Sequence, residues 1–320
     1  VAVRGVEKRL RPEEVVTILI DNLRQTAEHY LGETATQAVV TVPAQLGRRQ
    51  REALIGACRA ARLKVLSLIK APSAAGIAFC LTNPCQGRRH ILICDVGASY
   101  FDFTLMTVED WRLVERAVGT DTIDLDASLI RFCLQDLKER FNTTLPAGPE
   151  LQPVLWRLRS GCEAAKRTLS QWNQARVDVP GIADGLDYSV MVSRGHFEDF
   201  ARLDIESLLD PIDFCLEDCG LGRADVDVVL VGGAARVPRV RRAFREFFYG
   251  QPAHQVQRPD HGAILGAVVY AAALSSSGDC TDAERGAAIH RIRLEQVSPW
   301  VEVSDSTELP SPRCDADERR

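Results

Sequence analysis

Short runs of apolar, β-branched residues alternate with helix-length amphipathic segments at the start of this chain. Val39 to Val42 is such a run, and because it ends at Pro43 it predicts a buried strand. A second run covers Val65 to Ile69. Helical patterns surround both runs and cover residues 12–31, 48–62 and 73–81. This order of helix, strand, helix, strand and helix predicts a layered α/β domain.

The alternation continues to residue 274. An apolar strand over 91–94 leads through a turn into a second strand over 101–108, and together they predict a hairpin. Ser193 is a favourable N-cap for a helix that begins near Arg194. The other predicted elements are helices over 122–141 and 151–170, strands over 176–179 and 188–192, a helix reaching to about 219, a strand over 228–231, and helices from Pro238 and over 262–274.

Charge and composition narrow the classes of function. The 320 residues carry a net charge of −5, which argues against a general nucleic-acid-binding protein. No apolar run approaches the roughly 20 residues needed to span a bilayer, so we expect no membrane segment. The ten cysteines show no four-ligand zinc spacing, which favours a reducing, cytoplasmic compartment. Because the chain opens at Val1 rather than Met, it says nothing of targeting signals.

The segment Asp95-Val96-Gly97-Ala98-Ser99-Tyr100-Phe101-Asp102 is the first of three that suggest chemistry. An Asp at the end of a buried strand, followed by a tight turn, can present a carboxylate and backbone N–H groups to a phosphate or its metal ion. An ordinary hairpin with an Asp at its corner explains the same residues, because one glycine does not make a phosphate loop.

The second segment runs from Val228 to Pro238 and contains the glycine pair Gly232-Gly233. A strand, paired glycines and a helix N-terminus form a recurring anion- and nucleotide-binding geometry. A tight strand-to-helix connection without a ligand is the alternative.

The third segment lies on a predicted helix. Glu163, Lys166, Arg167 and Ser170 fall at i, i+3, i+4 and i+7, so they share one helix face. One acid, two bases and a hydroxyl on one face can grip a ribose and stack on a purine. A solvated helix stripe with an internal ion pair is the alternative.

Taken together, these segments resemble the heat-shock-70 (Hsp70) chaperone family, in its order and spacing from about Pro12 to Leu274. Five motifs carry the resemblance. The stretch from Val39 to Ala44, through Arg51 and on to Pro72 to Ala75, resembles the family's segment around its TVPA strand. Asp95 to Asp102 resembles its second phosphate loop, Glu163 to Ser170 resembles its adenosine-binding helix, Leu230 to Pro238 resembles its VGGxxRxP turn, and Pro259-Asp260 with Gly266-Ala267 resembles its closing NPDEAVAxGAA element.

The resemblance implies an α/β, actin-like ATPase (ribonuclease H-like) fold, with two lobes around ATP or ADP and Mg²⁺ and with an incomplete first lobe. It also implies a role for each matching position. The nucleoside would be bound by Glu163, Lys166 and Ser170, the adenine would be sandwiched by Arg167 and Arg236, and it would be approached through the backbone by Gly232, Gly233 and Ala234. The phosphates would be faced by Gly97, Ala98, Ser99 and Tyr100, and the metal and catalytic side would be served by Asp95, Asp102 and Asp260. Interdomain signals would be carried by Pro43 and Arg51.

The departures from the family pattern concentrate on hydrolysis. The resemblance begins after the family's first phosphate loop and catalytic lysine, so we expect both to be missing. Ala71 stands where the family has a glutamate, and Ala98 and Ser99 bring Cβ atoms where it has glycines. Tyr100 replaces a threonine, and a later glycine pair is missing around Thr122 to Asp126. We therefore expect weak nucleotide binding with little or no turnover.

The expected organisation is a partial Hsp70-like nucleotide-binding domain over 1–274, a linker and vestigial start of a substrate-binding domain over 275–303, and a disordered tail over 304–320. Expected partners are adenine nucleotide and co-chaperones, namely J-domain proteins and nucleotide exchange factors. Four alternatives stay open: the ATPase domain of a chaperone, a pseudo-ATPase interaction module, a non-functional relic, and a sugar kinase of the same superfamily.

Overall fold

The computed structural model describes residues 2–3, 6–7, 9–83, 87–109, 112–146, 148, 151–183, 185–251, 253–255 and 261–275. The predicted linker after Ser275 and the predicted tail lie outside these residues. The strands are β1 (Ala2–Val3), β2 (Val6–Glu7), β3 (Gln37–Val42), β4 (Lys64–Lys70), β5 (Arg89–Val96), β6 (Tyr100–Glu109), β7 (Arg112–Thr122), β8 (Gln174–Ala183), β9 (Leu186–Ser193), β10 (Val226–Val231) and β11 (His254–Gln255). The helices are α1 (Pro12–Leu31), α2 (Arg48–Ala60), α3 (Ala71–Thr82), α4 (Leu125–Phe141), α5 (Leu151–Leu169), α6 (Arg194–Glu206), α7 (Asp210–Asp218), α8 (Pro238–Phe247) and α9 (Gly262–Ser275).

Most predicted elements are present, and the mixed α/β class is confirmed. Pro12 opens α1 and Gly32 ends it with a left-handed backbone, while the Ser193 hydroxyl caps α6 by accepting from the His196 N–H. Strand β7 is missing from the sequence prediction, so the predicted hairpin is in fact a three-stranded meander. The two helices predicted to begin near Arg194 and to reach about 219 are both present, and the backbone turns between them at residues 207–209.

The larger sheet has five strands in the order β11-β10-β5-β6-β7. Strand β10 runs parallel to both β5 and β11, whereas β5, β6 and β7 are antiparallel neighbours. Alternate side chains of β5 and β10 enter two separate apolar clusters, so both faces of this sheet are covered. Leu92, Cys94 and Leu230 face the larger cluster, which α4, α5, α6 and α8 complete, and Ile91 and Val229 face the smaller one with α3 and α9.

A smaller sheet contains only the parallel pair β3 and β4 among the described residues. The sequence predicts a buried strand over Val39 to Val42, and this prediction is wrong in part. Val42 is buried, but Val39 and Val40 are half-buried and Thr41 is exposed. Helix α1 packs on α2 beside this sheet and buries none of its residues.

Helices α3 and α9 lie between the five-stranded sheet and the β3–β4 sheet and pack closely on each other. Their closest approach is at Gly266 of α9, where an added Cβ would lie 1.6 Å from the Ala74 carbonyl oxygen of α3. The small residues of both helices therefore permit a backbone-to-backbone contact that no larger side chain would fit. None of the helices that the structure describes is both long and apolar enough to cross a membrane.

Candidate functional site

The turn after β5 brings two carboxylates together at one end of the five-stranded sheet. Asp95 near the end of β5 and Asp102 in β6 are direct cross-strand partners. The Gly97 N–H donates to the Tyr100 carbonyl at 3.0 Å and closes the turn. Residues 98–100 are exposed around it, and the Tyr100 side chain is among the exposed large hydrophobic ones. The turn thus presents an open backbone rim beside paired acids.

The environment of Asp95 disfavours its negative charge. Burial, and secondarily the nearby Asp102 carboxylate, raise the pKa of Asp95 to about 6. A cation between the two carboxylates would relieve both causes at once, because it replaces lost solvation and screens the repulsion. This pair of hard oxygen donors suits Mg²⁺.

The second glycine turn lies directly against Asp95. Gly232 follows β10, has a φ of 86°, and an added Cβ would lie 2.4 Å from both Asp95 Oδ1 and the Val96 carbonyl oxygen. Parallel pairing fixes this approach, because Val231 is the register partner of Asp95. The two segments that the sequence singled out separately therefore meet at the carboxyl ends of adjacent strands, a common location of ligand sites in α/β proteins.

A chain of contacts links the first turn to the predicted adenosine helix. The Ile123 N–H donates to the Ser99 carbonyl at 3.2 Å, just before α4 begins. Asp124 then caps α4 by accepting from the Ala127 N–H, and it pairs with Arg159 of α5 at 2.6 Å. Asp126, in the first turn of α4, pairs with Lys166 of α5 at 2.7 Å.

The predicted nucleoside residues on α5 are in unequal environments. Lys166 is buried and its ammonium lies on Asp126, so it does not point freely into solvent. Arg167 is 77% exposed and pairs with Glu163 at 2.6 Å. Ser170 lies just past the helix end, where its hydroxyl donates to the Lys166 carbonyl. The four residues therefore do not form one uniform binding face, because Lys166 is buried whereas Arg167 is exposed.

Asp124 and Asp126 are the residues that sequence reasoning missed. In the sequence, the stretch around Thr122 to Asp126 stands out only because it lacks a glycine pair. The available signal was a pair of acids at the start of an amphipathic helix, with basic residues at 159 and 166 on the next helix. Which bases those acids would meet depends on how α4 and α5 pack, and spacing along the chain does not specify that.

The start of α3 carries a charge arrangement of its own. Ala71 opens this helix, and the preceding Lys70 pairs with Glu115 of β7 at 2.6 Å. The Ser73 hydroxyl donates to the other oxygen of the same carboxylate at 2.8 Å. Both charged side chains are largely buried, so this carboxylate is committed to linking α3 with β7.

Pro43 and Arg51, the two predicted signalling residues, are joined through Leu46. The Leu46 N–H donates to the Pro43 carbonyl, and the Leu46 carbonyl accepts from Arg51 Nε at 3.0 Å. The loop between β3 and α2 is therefore braced from both of its ends.

Of the remaining predicted site residues, the structure describes those after Gly232 but not Asp260. Gly233, Ala234 and Arg236 form a short 3₁₀ turn after Gly232, with Ala234 buried and Arg236 exposed. Asp260 lies outside the described residues. A cavity of about 740 Å³ lies beyond the end of α5, and none of its residues was predicted to bind a ligand. It is lined by Trp172, Asn173, Gln174, Ser193, Arg194, Gly195 and Glu198.

Comparisons with known proteins identify the family of this chain. A family model described as Hsp70 protein matches residues 1–299. Heat shock 70 kDa protein 2 of Paracoccidioides lutzii is 36% identical over 283 residues, which cover 87% of this chain and 42% of that protein. Heat shock 70 kDa protein of Neurospora crassa is 35% identical over 85% of this chain and 42% of its own length. Heat shock cognate 70 kDa protein 3 of Dictyostelium discoideum is 34% identical over 85% of this chain and 44% of its own length. The chain therefore spans less than half the length of these relatives.

Proposed function

The chain belongs to the Hsp70 family, and from that premise we propose that it binds ATP or ADP with Mg²⁺ but hydrolyses ATP weakly or not at all. The observation that carries the proposal is the contact between the Gly232 turn and Asp95. It joins two motifs that are far apart in sequence into one rim of backbone groups beside a pair of carboxylates.

On the metal side, Asp95 and Asp102 are the residues that would hold Mg²⁺, directly or through its water shell. Bound Mg²⁺ would supply positive charge to the phosphate oxygens of the nucleotide. The raised pKa of Asp95 fits this role, because burial and the Asp102 carboxylate both disfavour its negative charge, which a bound cation would stabilise. The turn over Gly97, Ala98 and Ser99 would offer its exposed backbone to the phosphates.

On the nucleoside side, the structure supports two kinds of role. Arg167 and Arg236 are exposed planar cations able to stack on an adenine ring. Lys166 lies in the contact between α4 and α5, where its ion pair with Asp126 fixes the direction of its ammonium, and it would bind the nucleoside from that position. Glu163 holds Arg167 in place and, with Ser170, would accept or donate hydrogen bonds to the ribose.

Weak hydrolysis is supported by changes inside the chain. Ala71 provides no carboxylate at the start of α3, and the Glu115 carboxylate nearby is occupied by Lys70 and Ser73. Ala98 and Ser99 restrict a turn in which the family resemblance leads us to expect glycines, and the Tyr100 ring stands 65% exposed beside it. Phosphoryl transfer depends on positioning and charge stabilisation, so losing these features lowers the rate.

A second candidate is an interaction module that binds no nucleotide and engages co-chaperones such as J-domain proteins or nucleotide exchange factors. The buried Lys70–Glu115 pair favours it, because this pair fixes α3 against β7 without any ligand. In either case the proposed location is the cytoplasm.

Isothermal titration of the chain with ADP and with ATP, each with Mg²⁺, tests the proposal. We expect binding that Arg167→Ala and Arg236→Ala each weaken about tenfold, as the loss of a desolvated cation–π contact implies. Arg242→Ala, which removes an exposed arginine of α8 outside the proposed site, is the matched control and leaves affinity unchanged. A folded chain that binds neither nucleotide would favour the interaction module.

A further inference from the structure

Two buried thiols face each other where α4 packs on α5. The sulfur atoms of Cys133 and Cys162 are 3.9 Å apart, and both residues are fully buried. They lie on neighbouring helices and 29 positions apart, so helix packing and not chain continuity brings them together. A disulfide needs an S–S distance of about 2.0 Å, so the sulfurs must approach by roughly 2 Å, which rotation about the side-chain bonds can supply in part.

The surroundings make the two thiols chemically unequal. The two thiols are hydrogen-bonded, and either sulfur can be the donor. This hydrogen bond lowers the pKa of Cys133, and together with burial it raises the pKa of Cys162. Tyr188 reinforces this side of α4, since its hydroxyl contacts the Cys133 carbonyl at 3.2 Å and donates to Asp136 at 2.9 Å. The thiol with the lower pKa is the one that reacts first with an oxidant, and the thiol beside it then closes the disulfide.

We infer that Cys133 and Cys162 form a redox-active dithiol, which a small peroxide converts into a reversible disulfide between α4 and α5. The Cys133 thiolate attacks one oxygen of hydrogen peroxide, the O–O bond breaks, and hydroxide leaves, giving a sulfenic acid. The Cys162 sulfur then attacks the sulfenic sulfur, the S–O bond breaks, and the Cys162 proton leaves with hydroxide as water. Both sulfurs are oxidised by one electron each, and the peroxide is reduced to two molecules of water.

Burial decides which oxidants take part. Both sulfurs lie in the larger apolar cluster, so bulky disulfide reagents are excluded and only a small neutral oxidant enters, during transient openings. Oxidation is therefore slower than at an exposed thiol. It also requires the folded arrangement, because the two cysteines are adjacent only when α4 and α5 pack.

The disulfide would act on the contact that holds the proposed nucleoside residues. Cys162 lies one helical turn before Lys166, whose ammonium pairs with Asp126 of α4. Drawing the helices together at Cys133 strains this ion pair and the neighbouring Arg159–Asp124 pair. This consequence rests on the proposed function, and for it we expect oxidation to weaken nucleotide affinity about fivefold or more.

The chemical test is independent of nucleotide binding. The native chain is treated with hydrogen peroxide, alkylated and digested with trypsin, which releases FCLQDLK (residues 132–138) and SGCEAAK (residues 160–166), each with one cysteine. We expect these peptides disulfide-linked, in the wild type and in the control Cys58→Ser, which alters a buried thiol of α2. Dithiothreitol should separate them, and Cys133→Ser and Cys162→Ser should not give the linked species.

The outcomes separate this inference from the proposed function. If both peptides stay unlinked in the native wild type after its partly exposed Cys215 and Cys219 have been oxidised, the dithiol inference is wrong whatever the chain binds. Linkage that appears only after denaturation also overturns it, because the native contact is then not the cause. Linkage in a chain that binds no nucleotide in either redox state supports the dithiol and counts against the proposed function alone.

Discussion

The five-stranded sheet and the β3–β4 sheet each contain the same motif, in different surroundings. In the smaller sheet, β3 and β4 are parallel strands joined by α2 and followed by α3. In the larger sheet, β10 and β11 are parallel strands joined by α8 and followed by α9. The two closing helices pack on each other at Gly266 and Ala74, so the copies meet back to back.

The copies differ in what lies beyond the first strand of each. On the side away from β11, strand β10 is paired with β5, and Asp95 of β5 lies against Gly232. Within the described part of the chain, strand β3 pairs only with β4, and it ends at Val42, before Pro43, without an acidic cross-strand neighbour comparable to Asp95. Strand β10 is buried almost throughout, whereas β3 is half-buried, although their sequences, VDVVLV and QAVVTV, differ by only one apolar residue. A strand's burial therefore comes from its neighbours, and only the copy with a neighbour forms a candidate site.

Breaking the contact between the copies should have the largest effect. Gly266→Val places a side chain on the Ala74 carbonyl, so α3 and α9 must separate, and we expect a loss of about 4 kcal/mol or more in the free energy of unfolding. Urea unfolding followed by circular dichroism measures it. Gly56→Ala in α2 is the control, because nothing lies within 4 Å of the added methyl, and it should stabilise by about 0.5 kcal/mol. Equal stabilities for the two variants would show that the copies are not joined through this contact.

The next effect separates the candidate site from the fold that carries it. Gly232→Ala meets Asp95 and Val96 and strains a left-handed backbone, so we expect a loss of about 3 kcal/mol and of nucleotide binding. Gly233→Ala has open space and should change stability by less than about 0.5 kcal/mol. Thermal unfolding and calorimetric titration report the two properties. If the neighbouring substitutions behaved alike, the close approach to Asp95 would have no importance.

A third prediction measures the difference in burial between the copies. Val229 of β10 and Val39 of β3 contact the same apolar cluster, but Val229 is fully buried and Val39 only half-buried. We expect Val229→Ala to reduce the free energy of unfolding by about 2.5 kcal/mol and Val39→Ala by about 1 kcal/mol. Chemical denaturation of both variants provides the comparison. A cost at Val39 as large as that at Val229 would mean that β3 is more enclosed than its exposure suggests.

Sequence reasoning was most successful where local rules decide the structure. Helix α1, with Pro12 at its start and Gly32 at its end, and the cap at Ser193 follow from residue type alone. Strand β7 was missed because its residues, Arg112 to Thr122, mix charged and small side chains at a sheet edge, so no apolar run marks it. The glycine turns were found, but their contact could not be, because the β10–β5 register creates it. The Asp126–Lys166 pair escaped for the same reason: it depends on the packing of α4 on α5.

The smallest effect concerns Asp95 itself, and its sign is opposite to the others. The pKa of this carboxyl is about 6 in the folded chain and near 3.8 when unfolded, so between these values the folded state binds more protons. Stability therefore falls as pH rises through that window, and at pH 7 the folded chain carries the full penalty of a buried charge. The change in pKa from 3.8 to about 6 corresponds to a penalty of about 3 kcal/mol. Because a buried Asn amide keeps part of the desolvation cost, Asp95→Asn should stabilise the chain by about half of this, about 1.5 kcal/mol, at pH 7 and very little at pH 4.

Asp102→Asn distinguishes the two causes of the raised pKa. It removes only the repulsion, which contributes less than burial, so its stabilisation at pH 7 should be smaller than that of Asp95→Asn. Unfolding curves at both pH values, with and without Mg²⁺ and ADP, complete the test. Nucleotide with Mg²⁺ should stabilise the wild type more than either variant, because the cation offsets the cost of the buried charge only where both carboxylates are present to bind it. If Asp95→Asn destabilised the chain at pH 7, the Asp95 carboxylate would stabilise the fold. It would then not be a group that waits for a metal ion, and the pairing of β10 with β5 would not have created a metal site.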